Sequence, residues 1–293
     1  MILKTKLFGK VYSFKDIKDV LAKANEEKSG DELAGIMASS AAERVAAKVV
    51  LSEITLQDLR NNPVVPYEKD EVTRIIQDQV DEKAYNKVKS FTVGEFREFI
   101  LKSGEEVIKE IRDGLTSEMI AAVTKLMSNM DLVYAAKKIK NTATCNTTIG
   151  TFSSRLQPNN AKDDIDGIMA SVMEGISYGV GDAVIGLNPA GDNINQVSLI
   201  LNKFEEFIKK WNIPTQNCML SHITTQMEAL KRGAPMDLMF QSIAGSEVSN
   251  TSFGVNVSLL DEGYELMKEK KHCCGNDFMY FETGQGSELS SEG

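Results

Sequence analysis

Hydrophobic positions divide the chain into two regimes. Over the first 140 residues apolar side chains recur at helical spacing; beyond about residue 143 they gather into short runs separated by amphipathic segments. In the first regime an alternating stretch from Leu3 to Phe14, broken at Gly9, reads as a hairpin. Phe14, Ile17, Val20, Leu21 and Ala24 then form a helical face behind a Ser13 cap, and that helix is expected to stop near Ser29 and Gly30. Thr55 with Asp58, and Thr92 with Glu95, have capping-box spacing, and Phe91 and Phe96 occupy the staple positions around the second box. Met119, Val123, Leu126, Met127 and Met130 continue a stripe after Thr116 and Ser117 that reads as core packing rather than a cofactor contact.

The alternation of the second regime is the signature of parallel strands joined by crossover helices. The apolar runs are Asn146 to Ile149, Ala183 to Leu187, Cys218 to Ile223, Leu238 to Ile243 and Phe278 to Phe281. Ile165, Ile168, Met169, Val172, Met173 and Ile176 give one helical face between them. Ile194, Val197, Leu201, Phe204, Ile208 and Trp211 give another, and weaker patterns lie around Met227 and Leu230 and from Val257 to Met267. Five strand-and-helix units follow, so the predicted fold class is α/β, with a mainly helical domain at 1–140 and a parallel α/β domain at 141–293. An open doubly wound sheet and a barrel of eight both fit. The nucleotide fingerprint discriminates against the first, because Gly179 and Gly181 lack the third glycine and precede their strand. A barrel needs about 250 residues, so this chain would hold its first part.

Composition narrows the function classes. The 293 residues carry 33 basic and 42 acidic side chains, a formal charge of −9, with no basic stripe interleaved with aromatics. A phosphate backbone would be repelled, which argues against nucleic acid. No apolar run approaches the roughly 20 residues a membrane span requires. The first residues lack a secretory signal, and Cys145, Cys218, Cys273 and Cys274 show no disulfide pattern, so a reducing cytoplasm is expected.

Candidate chemistry sits past the carboxyl ends of strands, the rim that carries ligands in barrels and open sheets alike. The rim candidates are the segment from Ser154 to Asn159, Asn188 with Pro189, Gln241 with Ser242, and the stretch from Glu282 to Ser287. Arg, Gln, Asn and Glu converging on one end suit a small ligand bearing both donors and acceptors. Gly284 and Gly286 could form an anion nest or occur in an ordinary turn. His272, Cys273 and Cys274 lack metal-site spacing, and no metal centre is expected. No G-x-S-x-G elbow is present, His222 falls within the third apolar run as a core histidine, and nothing marks a second acid to partner Glu282 as in a glycosidase.

At Arg155 to Asn159, Gly181 to Pro189, Ile213 to Gln216 and Phe281 to Ser287 the chain closely resembles the ethanolamine ammonia-lyase large-subunit family. The likeness extends through Asp58 to Pro63 and Thr73 to Asp78 and covers all 293 residues. The resemblance implies a (β/α)8 TIM-type barrel, of which this chain holds the first five units, behind a helical extension. It implies a radical lyase that uses adenosylcobalamin, a cobalt cofactor, to convert ethanolamine to acetaldehyde and ammonia. It implies a small-subunit partner, large subunits associated within a hetero-oligomer, and a role in ethanolamine degradation in the cytoplasm or a bacterial microcompartment there. Carried over by motif, Arg155, Gln157, Asn188 and Glu282 would bind the substrate, with Arg155 and Glu282 catalytic; Pro189, Gln241, Phe253 and Ser290 would lie at the cofactor. The family retains the nucleotide base on cobalt, and here His222 and His272 have Leu220 and Lys270 where a histidine-ligand motif needs Asp. The family's further strands and an acidic substrate ligand lie beyond Ser290, which also admits a truncated, inactive assembly module of the same family. The connection through Gly150 to Phe152 is expected to be shorter than the family's loop.

Overall fold

The structure, a computed structural model, describes residues 2–138, 152–270, 272 and 277–283. The expected strand at 146–149, Gly150, three of the four cysteines, Gly284, Gly286 and Ser290 lie outside those residues. The described residues form two compact units: those up to 138 together with Gly245–Ser249, and those from 152 to 283 apart from that segment.

The first unit opens with an antiparallel hairpin, β1 (Lys4–Leu7) and β2 (Lys10–Ser13), with Lys4 opposite Ser13. Its two-residue turn places Phe8 at φ 51° and Gly9 at φ 78°, the left-handed pair that matches strand twist. Among the described residues ten α-helices follow: α1 (Ile17–Lys23), α2 (Ser29–Leu33), α3 (Ala41–Ser52), α4 (Leu56–Asn61), α5 (Glu71–Asp78), α6 (Glu82–Val88), α7 (Val93–Lys102), α8 (Glu105–Lys109), α9 (Ser117–Lys125) and α10 (Asn129–Ala136). The pairing of Ser13 with Lys4 keeps Ser13 in the hairpin, so Asp16 caps α1 instead, accepting the Asp19 amide at 2.8 Å. Ser29 and Gly30 begin α2 rather than end α1. Both expected capping boxes form, at Thr55 and Thr92, and Leu56 N donates to Phe91 O while Val93 N donates to Ile54 O, so the two caps brace each other. A third box at Ser128 divides the expected methionine stripe: Met119 and Val123 are buried on α9, whereas Met130 is exposed on α10. Phe96, Leu51, Leu56, Leu59 and Met119 are at the centre of this core.

The second unit is built on five strands, β3 (Arg155–Leu156), β4 (Val184–Leu187), β5 (Asn217–Met219), β6 (Leu238–Ser242) and β7 (Met279–Glu282), all parallel and ordered as in sequence. Helices α11 (Ile165–Ser177), α12 (Ile194–Trp211), α13 (Ile223–Lys231), α14 (Glu247–Ser252) and α15 (Val257–Lys270) occupy the connections. Among the described strands the order never reverses, so they contain no topological switch point. Side chains alternate with period two. Ile185, Leu187, Met219 and Met239 face a core shared with Ile168, Val172, Val197, Phe204 and Met227 of the helices. Val184, Cys218, Leu238, Phe240 and Tyr280 cluster separately on the other face.

The five expected strands need two corrections. Arg155 lies on a strand, not past the end of one. The run from Cys218 to Ile223 ends as strand at Met219, and His222 caps α13 rather than sitting within the sheet. There the Gln226 side chain replaces strand pairing, accepting from Phe240 N at 2.9 Å and donating to Phe240 O at 2.6 Å. Among the described residues no helix is long and apolar enough to cross a membrane.

Phe204 is fully buried between α12 and the sheet. Its replacement by alanine should destabilise the second unit by about 3–5 kcal/mol, measured by urea denaturation, with the helical unit's transition unchanged.

Candidate functional site

Parity along the parallel strands brings the polar candidates to one face. Arg155 and Gln157 from β3 and its extension, Asn188 one step past β4, and Glu282 at the end of β7 all share the face of Val184, Cys218 and Tyr280. Gln157, Asn188 and Glu282 stand at or beyond the carboxyl ends of their strands, whereas Arg155 opens the two-residue β3.

Arg155 reaches across the sheet. Its Nη1 donates to the Tyr280 hydroxyl at 2.5 Å and stands 3.9 Å from Glu282 Oε2, with its guanidinium carbon 5.2 Å from the Tyr280 ring centroid. Its Nε and Nη2 are buried with no hydrogen-bond partner, two donors left unmatched on this face. Gly186 on β4 makes room for this path, since a Cβ there would come within 3.0 Å of Arg155 Nε. Beneath the guanidinium lies Cys218, whose thiol burial pushes up to about 12, so it stays neutral. Glu282 is the carboxylate within ion-pair distance of Arg155 among the described residues.

Two loops at the rim are pinned together. Gln157 Nε2 donates to Asn188 Oδ1 at 3.1 Å, Asn188 N to Asn159 Oδ1 at 2.9 Å, and Ala190 N to both Asp163 carboxylate oxygens at 2.9 Å. Asp163 takes a left-handed φ of 53°, a strained state for a non-glycine residue that these contacts and the Gln196 amide on its carbonyl support. Pro189 is half-buried between the two anchors.

The remaining candidates serve neighbouring loops. Gln241 is on the opposite parity; its Oε1 accepts from Ile223 N at 2.8 Å and its Nε2 donates to Ser242 O, leaving one amide hydrogen. Phe253 is half-buried, and its carbonyl meets His222 Nε2 at 3.1 Å. A carbonyl only accepts, so Nε2 carries the hydrogen and Nδ1 accepts from Thr224 N at 3.3 Å. His222 therefore fixes the Phe253 loop. The structure thus brings Arg155 to Glu282 and Gln157 to Asn188, and sets Gln241 on the helix side of the sheet. Tyr280, Gly186 and Asp163 are not among the sequence candidates; the alternation that puts Tyr280 on the face of Glu282 is the available signal.

At the amino end of the sheet, His272 Nδ1 meets Asp237 Oδ1 at 2.8 Å and its Nε2 lies 3.4 Å from Glu205, itself paired with Lys209 at 2.7 Å. The Asp237 hydrogen bond raises the His272 pKa above its ordinary 6.5, against burial and the Lys209 charge.

A model of the ethanolamine ammonia lyase large-subunit family matches residues 12–293. The chain is 55% identical over 297 aligned positions to the ethanolamine ammonia-lyase large subunit of Escherichia coli (strain K12), and equally to that of Escherichia coli O157:H7. It is 54% identical to that of Salmonella typhimurium (strain LT2). Each alignment covers 99% of this chain and 65% of the relative, so the chain spans just under two thirds of the length of the curated relatives it matches.

Two outcomes follow from the geometry. Gly186→Val should overpack the inner face, costing about 1–3 kcal/mol by urea denaturation, and displace the guanidinium from the Tyr280 hydroxyl in a crystal structure. A histidine whose folded pKa is raised contributes stability that is fully present below its unfolded pKa and lost as pH rises through the folded value. The Tm difference between the unsubstituted protein and His272→Gln should accordingly be largest below the ordinary histidine value of about 6.5 and shrink as pH rises through the raised folded value.

Proposed function

The chain belongs to the ethanolamine ammonia-lyase large-subunit family, and we propose that it is the catalytic-subunit portion of a lyase that converts ethanolamine to acetaldehyde and ammonia. One observation carries this reading: a guanidinium with two unpartnered donors, two amides and a carboxylate share one face at the carboxyl ends of the strands. Ethanolamine has a hydroxyl and an ammonium two carbons apart, and this set is complementary to it. The Arg155 guanidinium would donate to the hydroxyl oxygen and stabilise negative charge that develops there as the amino group migrates. Glu282 accepts from the ammonium in a charge-assisted bond. Gln157 and Asn188, already locked to each other, add neutral contacts that an analogue lacking either polar group would leave unpaired.

Adenosylcobalamin would supply the radical that removes hydrogen from the carbinol carbon. The donor set of this chain suits a cobalamin that keeps its own base on cobalt, because His222 and His272 both have their ring nitrogens engaged by protein groups. Pro189 and Phe253 offer half-buried apolar surface on the loops after β4 and β6, and Gln241 keeps one amide hydrogen. These residues, with Ser290, would hold the corrin and its adenosyl arm. The sequential parallel sheet supports a (β/α)8 barrel in which residues 141–293 carry the site and residues 1–140 serve assembly. A small subunit, association of large subunits, and residence in the cytoplasm or a microcompartment complete the proposal.

Electron paramagnetic resonance of the natural large subunit, assembled with its small subunit and adenosylcobalamin, tests it. Ethanolamine should elicit paired cobalt(II) and organic-radical signals; a silent spectrum from the intact complex contradicts the proposal.

A further inference from the structure

Arg155 and Glu282 are opposite charges on one face, yet they do not form a closed pair. An arginine free to meet a carboxylate takes the two-pronged geometry, with N···O separations of about 2.7–2.9 Å. Here the nearest separation is 3.9 Å, and the nitrogen nearest the carboxylate, Nη1, is the one that donates to the Tyr280 hydroxyl at 2.5 Å. The Tyr280 ring also lies beside the guanidinium, 5.2 Å from its carbon, and is itself set edge-on by Phe240 at a centroid distance of 5.6 Å. Tyr280 is anchored within β7, in register with Phe240, so it is held by the sheet rather than by Arg155.

We propose that Tyr280 is a positioning residue that holds the Arg155 guanidinium away from Glu282, keeping the carboxylate available to a ligand cation. The inference deepens the reading of this site as one for an amino alcohol and rests on it for the ligand's identity. Two facts support the division of labour. The phenolic oxygen is a neutral acceptor, so it occupies Nη1 without adding charge that would compete for a cationic ligand. Among the described residues no second cation lies within ion-pair distance of Glu282, and its side chain is 53% exposed against 19% for Arg155. Without the hydroxyl, the shorter path for Nη1 is onto Glu282, and a closed pair there would neutralise the group meant for the ammonium.

Tyr280→Phe in the natural large subunit, assembled with its small subunit, tests this because the ring and the strand are retained. A crystal structure of the variant should show the guanidinium closed onto Glu282 at hydrogen-bond distance. The KM for ethanolamine should rise about tenfold, as for loss of one charge-assisted contact, with kcat at saturation reduced less than about threefold. Calorimetric titration of ethanolamine into the cofactor-free complex should weaken by the same factor, with Tm unchanged. An Arg155 left in place with KM unchanged overturns the proposal, and so does a fall in kcat accompanied by a lower Tm, which is a packing defect. Should the unsubstituted complex fail to turn over ethanolamine, the functional reading fails instead, and the Arg155 to Glu282 distance in the variant still decides the role of Tyr280.

Discussion

The edge strands of a flat five-stranded sheet would stand roughly 19 Å apart, four spacings of about 4.8 Å. An arginine and a tyrosine laid end to end do not span that gap. Arg155 on β3 nevertheless donates to Tyr280 on β7, at the opposite edge of the sheet. The sheet must therefore curl, with the face of Val184, Cys218 and Phe240 on its concave side. That curl is what makes a site of residues drawn from separate strands: the carboxylate of Glu282 is within reach of the guanidinium only because the chord across the sheet is short.

Curling works because the two faces carry different kinds of side chain. The convex face is all bulk, with Ile185, Leu187, Met219 and Met239 packed on the helices. The concave face has less room, and it is here that glycine replaces a side chain at residue 186 and cysteine fills residue 218. Close packing of the first face fixes the strands, and small volume on the second lets a long cation lie along it. The rim is stiffened by a different means. Asn159 and Asp163 accept the backbone amides of Asn188 and Ala190, on either side of Pro189, so the loop after β4 is tied to the loop after β3 by its main chain. Orientation of Asn188 is then a property of the loops rather than of its own exposed side chain.

Much of this was legible in the sequence wherever a local rule dominates. Capping boxes at Thr55 and Thr92 form because their hydrogen bonds close within four residues, and the hairpin turns where Gly9 tolerates a left-handed φ. The four apolar runs that fall among the described residues hold β4 to β7, because short runs buried on both faces suit a parallel sheet. What escaped was set by tertiary partners. Ser13 is a good cap by type, but cross-strand pairing with Lys4 holds it in the hairpin. The run after Cys218 stays apolar through Ile223, yet Gln226 takes over the backbone of Phe240 and frees the chain to start a helix at Ile223. Arg155 reads as a rim residue because two-residue β3 leaves no apolar run to betray a strand. Within the site, Arg155, Gln157, Asn188 and Glu282 were named from motifs, whereas Tyr280 and Gly186 hid inside strands whose apolar character explained them already.

Charge in the concavity is graded rather than balanced. At its floor Cys218 remains a neutral thiol because burial opposes its ionisation. Above it the guanidinium is mostly enclosed, and toward the mouth Glu282 is half in water. A cation approaching from solvent meets the carboxylate first and would be repelled by the guanidinium beyond it, while the uncharged end of the same molecule can go deeper. Moving such a ligand inward displaces water from Glu282 and lowers the local dielectric, which strengthens attraction at the mouth and repulsion from the floor together. The gradient would therefore orient a small molecule that is cationic at one end and a neutral acceptor at the other, and would oppose the reversed pose by placing like charges together at the enclosed end.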